Sequence, residues 1–96
     1  MLKEMLTIEL NGNNFSNLAE FYDEVERKMT KGLDWKIGRN LDAFNDVLSG
    51  GFGVNEVGEN YQLTWTNALK SKSELQEYET LIKIIKENAN VELILN

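Results

Sequence analysis

The side chains with the most chemical potential lie together in the stretch Gly38-Arg39-Asn40-Leu41-Asp42-Ala43-Phe44-Asn45-Asp46-Val47-Leu48-Ser49-Gly50. Asp42 and Asp46 are four residues apart, so on a helix they stack on one face with Asn45 and Ser49 beside them. Like charges at that spacing weaken a helix by about 0.2–0.5 kcal/mol, partly offset where Asp42 stands near the positive N-terminal end. Four uses fit such a pair. It can be a solvated helix face and nothing more. It can be a general acid and base, but that chemistry needs two carboxylates across a cleft in contrasting environments, and one helix face supplies neither. It can hold a divalent cation, although the dense Asp/Asn/Gly loop of a calcium site is lacking. Or it can present charge to a basic partner, which needs no cofactor and no cleft and suits the composition best.

That composition removes most other chemistry. The 96 residues contain no Cys and no His, which excludes disulfides, thiol nucleophiles, Cys/His zinc sites and imidazole-based triads or proton shuttles. No cofactor is implied. Ten Lys and Arg against sixteen Asp and Glu give a net charge of −6, with a sequence pI near 4.6. Residues 34–59 hold five of the acidic residues and only two basic ones, so half the net charge falls there. The cations form no cluster, which argues against nucleic acid and favours a cationic protein partner drawn in by electrostatic steering. No apolar run is long enough to span a membrane, and Met1-Leu2-Lys3-Glu4-Met5-Leu6 is too short and acidic for a signal peptide, so a cytoplasmic location is expected.

Gly50-Gly51-Phe52-Gly53 has the glycine density of a phosphate cradle, but such a loop precedes a helix and carries Lys, whereas these glycines follow a helix and read as its C-cap. Phe52 is either a partly exposed anchor or a plug over the core, and Trp35 has the same ambiguity. Trp65, on the inward face of a strand, reads as core.

A chain of this length makes one domain, residues 1–96. Leu6 to Leu10 alternates apolar and polar residues as a strand, and Asn11-Gly12-Asn13-Asn14 follows as turn chemistry. From Ser16 as N-cap, Leu18, Phe21, Tyr22, Val25 and Met29 form one helical stripe. Glu20, Asp23, Glu24, Arg27 and Lys28 fall opposite, and Lys31-Gly32 ends the helix. Asn40 caps a short helix with Leu41, Phe44, Val47 and Leu48 turned inward. Residues 53–60 read as a mobile, glycine-rich surface loop. Tyr61 to Trp65 is a second strand and Thr66 to Lys70 a possible helical turn. Ser71-x-x-Glu74 and Ser73-x-x-Gln76 match the capping box, announcing a helix through Leu75, Tyr78, Leu81, Ile82 and Ile85 to about Glu87. Val91 to Leu95 closes the chain as a strand apolar on both faces, the pattern of a central strand. Helices between successive strands predict an α/β fold, a small three-stranded parallel sheet packed by about four helices through right-handed crossovers.

The segment Gly38 to Gly50 resembles the hallmark of the barstar-like inhibitors of secreted bacterial ribonucleases, Gly-x-Asn-Leu-Asp-Ala-(Leu/Phe)-x-Asp-x-Leu-x-Gly, without a gap. The likeness extends over nearly the whole chain, and it implies the same three parallel strands packed by helices. It further implies a non-enzymatic inhibitor that is monomeric when free and forms a one-to-one complex with a basic secreted ribonuclease, plugging its active site with carboxylates that mimic RNA phosphates. On that resemblance Asp46 is the central anion and Asp42 meets a neighbouring basic residue. Gly38, Arg39 and Asn40 fit the loop against the enzyme, while Asn45, Ser49, Gly50 and Phe52 complete the surface. Asn45 stands where well-known members carry Trp, and Lys36-Ile37 replace aromatic residues before the motif. The loop from Gly50 to Tyr61 is longer than in those members. Lys83 aligns with an expected acidic residue, with Glu79 and Glu87 one turn away. A non-inhibitory binding module that recognises another basic protein through the same face is the alternative.

Overall fold

A computed structural model describes residues 5–30 and 40–96 of the chain. Its elements run β1 (Leu6–Asn11), a 3-10 turn (Gly12–Asn14), α1 (Leu18–Met29), α2 (Leu41–Ser49), β2 (Tyr61–Thr66), α3 (Ala68–Glu74), α4 (Tyr78–Lys86) and β3 (Val91–Leu95). The strands form one parallel sheet in the order β1-β2-β3. Ile8, Leu63 and Leu93 lie in register across it, as do Leu10, Trp65 and Leu95. The expected α/β fold, a three-stranded parallel sheet packed by four helices, is what the described residues adopt.

The expected place of β3 is corrected. It lies at an edge, and β2 is the central strand. Tyr61, Leu63 and Trp65 of β2 are fully buried, while β3 leaves Leu95 43% exposed. The two faces of the sheet explain the misreading. Ile8, Leu10, Tyr61, Leu63 and Trp65 point into the helical layer, whereas the alternate set, Thr7, Glu9, Gln62, Thr64 and Glu92, is polar and unburied. Ile94 is apolar on that second face. That one residue makes β3 look two-sided, although among the described residues the second face of the sheet is otherwise polar and nowhere buried.

Two helix starts also differ from expectation. Asn17, not Ser16, caps α1: its side chain accepts the Glu20 N–H at 2.9 Å, and the Glu20 carboxylate reaches back to the Ser16 N–H at 2.9 Å. Met29 ends the helix, and Lys31-Gly32 lie outside the described residues. Neither Ser71 nor Ser73 is a cap. Both sit inside α3, where Ser71 Oγ accepts the Trp65 indole N–H at 3.0 Å and Ser73 Oγ donates to the Lys70 carbonyl at 2.9 Å. The single helix expected here is broken at extended, buried Leu75 into α3 and α4. The buried Trp65 indole N–H needs an acceptor, and the Ser71 hydroxyl supplies it from inside α3.

Glu24 is the largest departure from the helical pattern. It was placed on the polar face of α1, yet it is fully buried. Its carboxylate accepts from the Asn11 N–H at 2.9 Å and the Asn14 amide at 3.1 Å, and it pairs with Arg27 at 2.7 Å and Lys28 at 3.3 Å. Burial alone would raise its pKa. The Asn11, Arg27, Asn14 and Lys28 donors outweigh that and hold it below the ordinary value. Glu24 thus pins α1 to the end of β1.

Candidate functional site

Helix α2 carries the pair that opened the sequence reading, and it is fixed from three sides. Its inner face, Phe44, Val47 and Leu48, is buried. Phe44 meets Phe21 of α1 edge-on at 5.2 Å, and Phe21 in turn stacks on Trp65 of the central strand at 5.4 Å. This chain of rings ties α2 to the middle of the sheet, where aromatic pairs add to ordinary burial.

At the N-terminus, the Asn40 side chain accepts the Ala43 N–H at 2.8 Å, as its position predicted. At the other end, Gly50 closes the helix with φ +100° and donates its N–H to the Val47 carbonyl. A side chain at Gly50 would run into the Glu56 carbonyl, so both its conformation and its surroundings require glycine.

A third support comes from residues far along the chain, Tyr61, Asn88 and Asn90. The Leu48 carbonyl, in the last turn of α2, accepts from the Tyr61 hydroxyl at 2.9 Å and the Asn90 amide at 3.1 Å. Burial pushes the Tyr61 phenol far above its usual range, so it stays a donor across ordinary pH. The Asn88 amide spans from the Ile84 carbonyl, 2.9 Å, to the Asn45 side-chain oxygen, 2.8 Å. Asn88 and Asn90 flank the turn into β3, and their amides reach α2. Asparagine in a turn ordinarily bonds its own backbone, and only the fold brings these two beside another helix.

What remains outward is acidic. Asp42, Asn45 and Asp46 are exposed, and Ser49 is half-buried. Among the described residues neither aspartate is paired with a cation. Ser49 Oγ makes only long contacts, 3.4 Å to the Asn45 carbonyl and 3.5 Å to the Asn88 side chain. Phe52 is half-buried and packs against the core. Gly38, Arg39 and Trp35 lie outside the described residues. Lys83, Glu79 and Glu87 are all exposed. Among the described residues no group of three or more metal-ligating side chains converges, and no helix is long and apolar enough to cross a membrane.

Chemically, α2 presents two exposed carboxylates on a helix whose ends are capped and whose inner face is packed in the core.

Comparison with known proteins agrees in scale with the fold. The family model described as Barstar (barnase inhibitor) matches residues 5–92, which spans every strand and helix from β1 into β3. No curated protein matches the chain. With that match over almost its whole length and, among the described residues, a parallel three-stranded sheet bearing four helices, the chain belongs to the Barstar (barnase inhibitor) family, whose members are inhibitors of barnase-type ribonucleases and not enzymes.

Proposed function

We propose that this chain inhibits a basic, barnase-type ribonuclease in a one-to-one complex, by seating the outer face of α2 and the segment before it in the enzyme's active site. Asp46 takes the place of an RNA phosphate at the cationic centre, and Asp42 meets a neighbouring basic residue. Asn40, with Gly38 and Arg39 before it, shapes the entering loop, and Asn45, Ser49, Gly50 and Phe52 border the far edge. The observation that carries this reading is the pair of exposed carboxylates, unpaired among the described residues, on a helix immobilised by core packing and by the amides of Asn88 and Asn90. The concentration of negative charge in residues 34–59 adds steering toward a cationic partner, which salt weakens over a screening length of about 10 Å at 0.1 M.

The test is RNA cleavage by a panel of barnase-type ribonucleases titrated with the chain. Full inhibition of one member is expected at equimolar ratio. Asp46→Ala should weaken it at least about tenfold, the scale of one lost charge-assisted hydrogen bond, with unchanged thermal unfolding. Wild-type inhibition by Asp46→Ala would remove that residue from its role. Absence of inhibition across the panel would overturn the ribonuclease reading in favour of a module binding another basic protein.

A further inference from the structure

The chain holds one Asn-Gly dipeptide, Asn11-Gly12, at the corner where β1 gives way to the 3-10 turn. Asparagine before glycine is open to self-modification, because no Cβ shields the following amide nitrogen from the side-chain amide carbon. The Gly12 nitrogen, after giving its proton to solvent base, bonds to Asn11 Cγ. The Cγ–Nδ2 bond breaks, and Nδ2 leaves as ammonia with a proton from water. Water then opens the resulting succinimide. Opening at Cγ gives aspartate. Opening at the Asn11 main-chain carbonyl gives isoaspartate, which routes the chain through Cβ and Cγ and lengthens the backbone by one carbon.

The fold requires both residues. A Cβ on Gly12 would stand 2.5 Å from Ser71 Oγ, 2.7 Å from the Asn67 carbonyl oxygen and 2.8 Å from the Thr66 carbonyl oxygen, so only glycine fits. Asn11 Oδ1 accepts the Asn13 N–H and the Asn67 amide, each at 2.9 Å, and the Asn11 N–H is the group that Glu24 holds. The same contacts disarm the pair. At ψ 112° the extended backbone of Asn11 turns the Gly12 nitrogen away from the side chain, whereas ring closure needs that nitrogen to eclipse Cβ. Gly12 is buried, which keeps base from its N–H, and Lys70 Nζ donates to its carbonyl at 3.0 Å, fixing the residue from its other side.

We propose that Asn11-Gly12 is a self-modification site gated by the fold: native contacts hold it unreactive, opening of the β1 corner converts it to isoaspartate and aspartate with water as the only co-reactant, and the isoaspartyl chain no longer closes that corner. The loss follows from the same contacts. An extra backbone carbon displaces Gly12 from a space too tight for a Cβ, and it shifts the Asn13 N–H and the Gly12 carbonyl from the groups that Asn11 and Lys70 bring to them. Aspartate keeps the backbone length and the acceptor, so it re-forms the corner, but it sets a second carboxylate beside buried Glu24. Chains that open often are thereby withdrawn irreversibly from the folded pool.

The test incubates the full chain at mildly alkaline pH, native and urea-unfolded, and follows Asn11 by peptide mapping that separates the aspartyl and isoaspartyl products. The native rate should be at least about tenfold below the unfolded rate, in proportion to the rarity of opening. Asn67→Gly keeps the positive φ of that position and removes its bond to Asn11, so it should speed the native reaction and leave the unfolded rate unchanged. The isoaspartyl chain, isolated and returned to buffer, should show no native thermal transition, whereas Asn11→Asp should refold with a lowered midpoint. Equal native and unfolded rates in the wild-type chain would overturn the gate. Refolding of the isoaspartyl chain to the wild-type midpoint would overturn its exclusion from the fold.

Discussion

Replacing Glu24 by alanine should cost about 3 kcal/mol of folding stability, far more than a helix-surface glutamate would. Its side chain is fully buried, so the calculation turns on what its four partners do when it is gone. Arg27 is half exposed and Lys28 about a third exposed, so both rehydrate and contribute only the surface scale, below about 1 kcal/mol each. The Asn11 N–H cannot rehydrate as freely and loses a charge-assisted bond worth about 1.5–3 kcal/mol, and the Asn14 amide loses about 1 kcal/mol more. Relief of the desolvated charge offsets part of this. Glu24→Gln keeps the volume and one acceptor for Asn11 and should cost about half as much.

Urea unfolding at several pH values separates the terms. The folded carboxyl titrates below its ordinary value of 4.5, so its stabilising contribution is complete above that value and disappears as pH falls through the folded pKa. The gap between wild type and Glu24→Gln should therefore be constant from neutral pH down to about 5.5 and shrink below 4.5. In a chain of this size the alanine variant should melt more than about 10 °C lower. An alanine variant within about 0.5 kcal/mol of wild type, or a gap that widens on acidification, would refute the account of Glu24 as a buried pin.

Two further outcomes are expected from the supports of α2 and of the core. Asn88→Ala removes the bridge from the Ile84 carbonyl to Asn45, and should cost about 1 kcal/mol by urea titration while speeding amide hydrogen exchange in the last turn of α2. Ser71→Ala leaves the buried Trp65 indole N–H without its acceptor and should cost about 1–3 kcal/mol, with a shift in tryptophan fluorescence that Ser73→Ala, at an exposed site, does not produce.

The candidate site was more legible in the sequence than its foundations. Asp42 and Asp46 reach a common outward face because helical spacing and the Asn40 cap are local properties, and a cap and a turn need only neighbours in the chain. Gly50 was legible for the same reason, since the helix can end there only through a residue that tolerates positive φ. The pins were not. Asn88 touches Asn45 across 43 residues and Tyr61 touches Leu48 across 13, and amides or hydroxyls able to make such bonds look the same in sequence whether or not the fold brings them a partner.

Where expectation failed, a local signal was outbid by a distant one. The Ser71 and Ser73 capping boxes were real patterns, but Ser71 was claimed by an indole six residues upstream that the sheet had buried. Glu24 falls on the polar arc of α1 by periodicity, yet the Asn11 N–H at the end of β1 and the Asn14 amide take its carboxylate as acceptor inside the fold. β3 carried the most continuous apolar run and still took an edge, because strand order depends on which crossover the intervening helices permit. The sequence by itself determined the period of each element, the caps and glycines that end α2, and the charge on its outer face, all set within a turn or two of chain. Tertiary structure alone decided which polar groups are buried, which strand is central and what holds the acidic helix still, because desolvation and partner geometry exist only once distant segments meet.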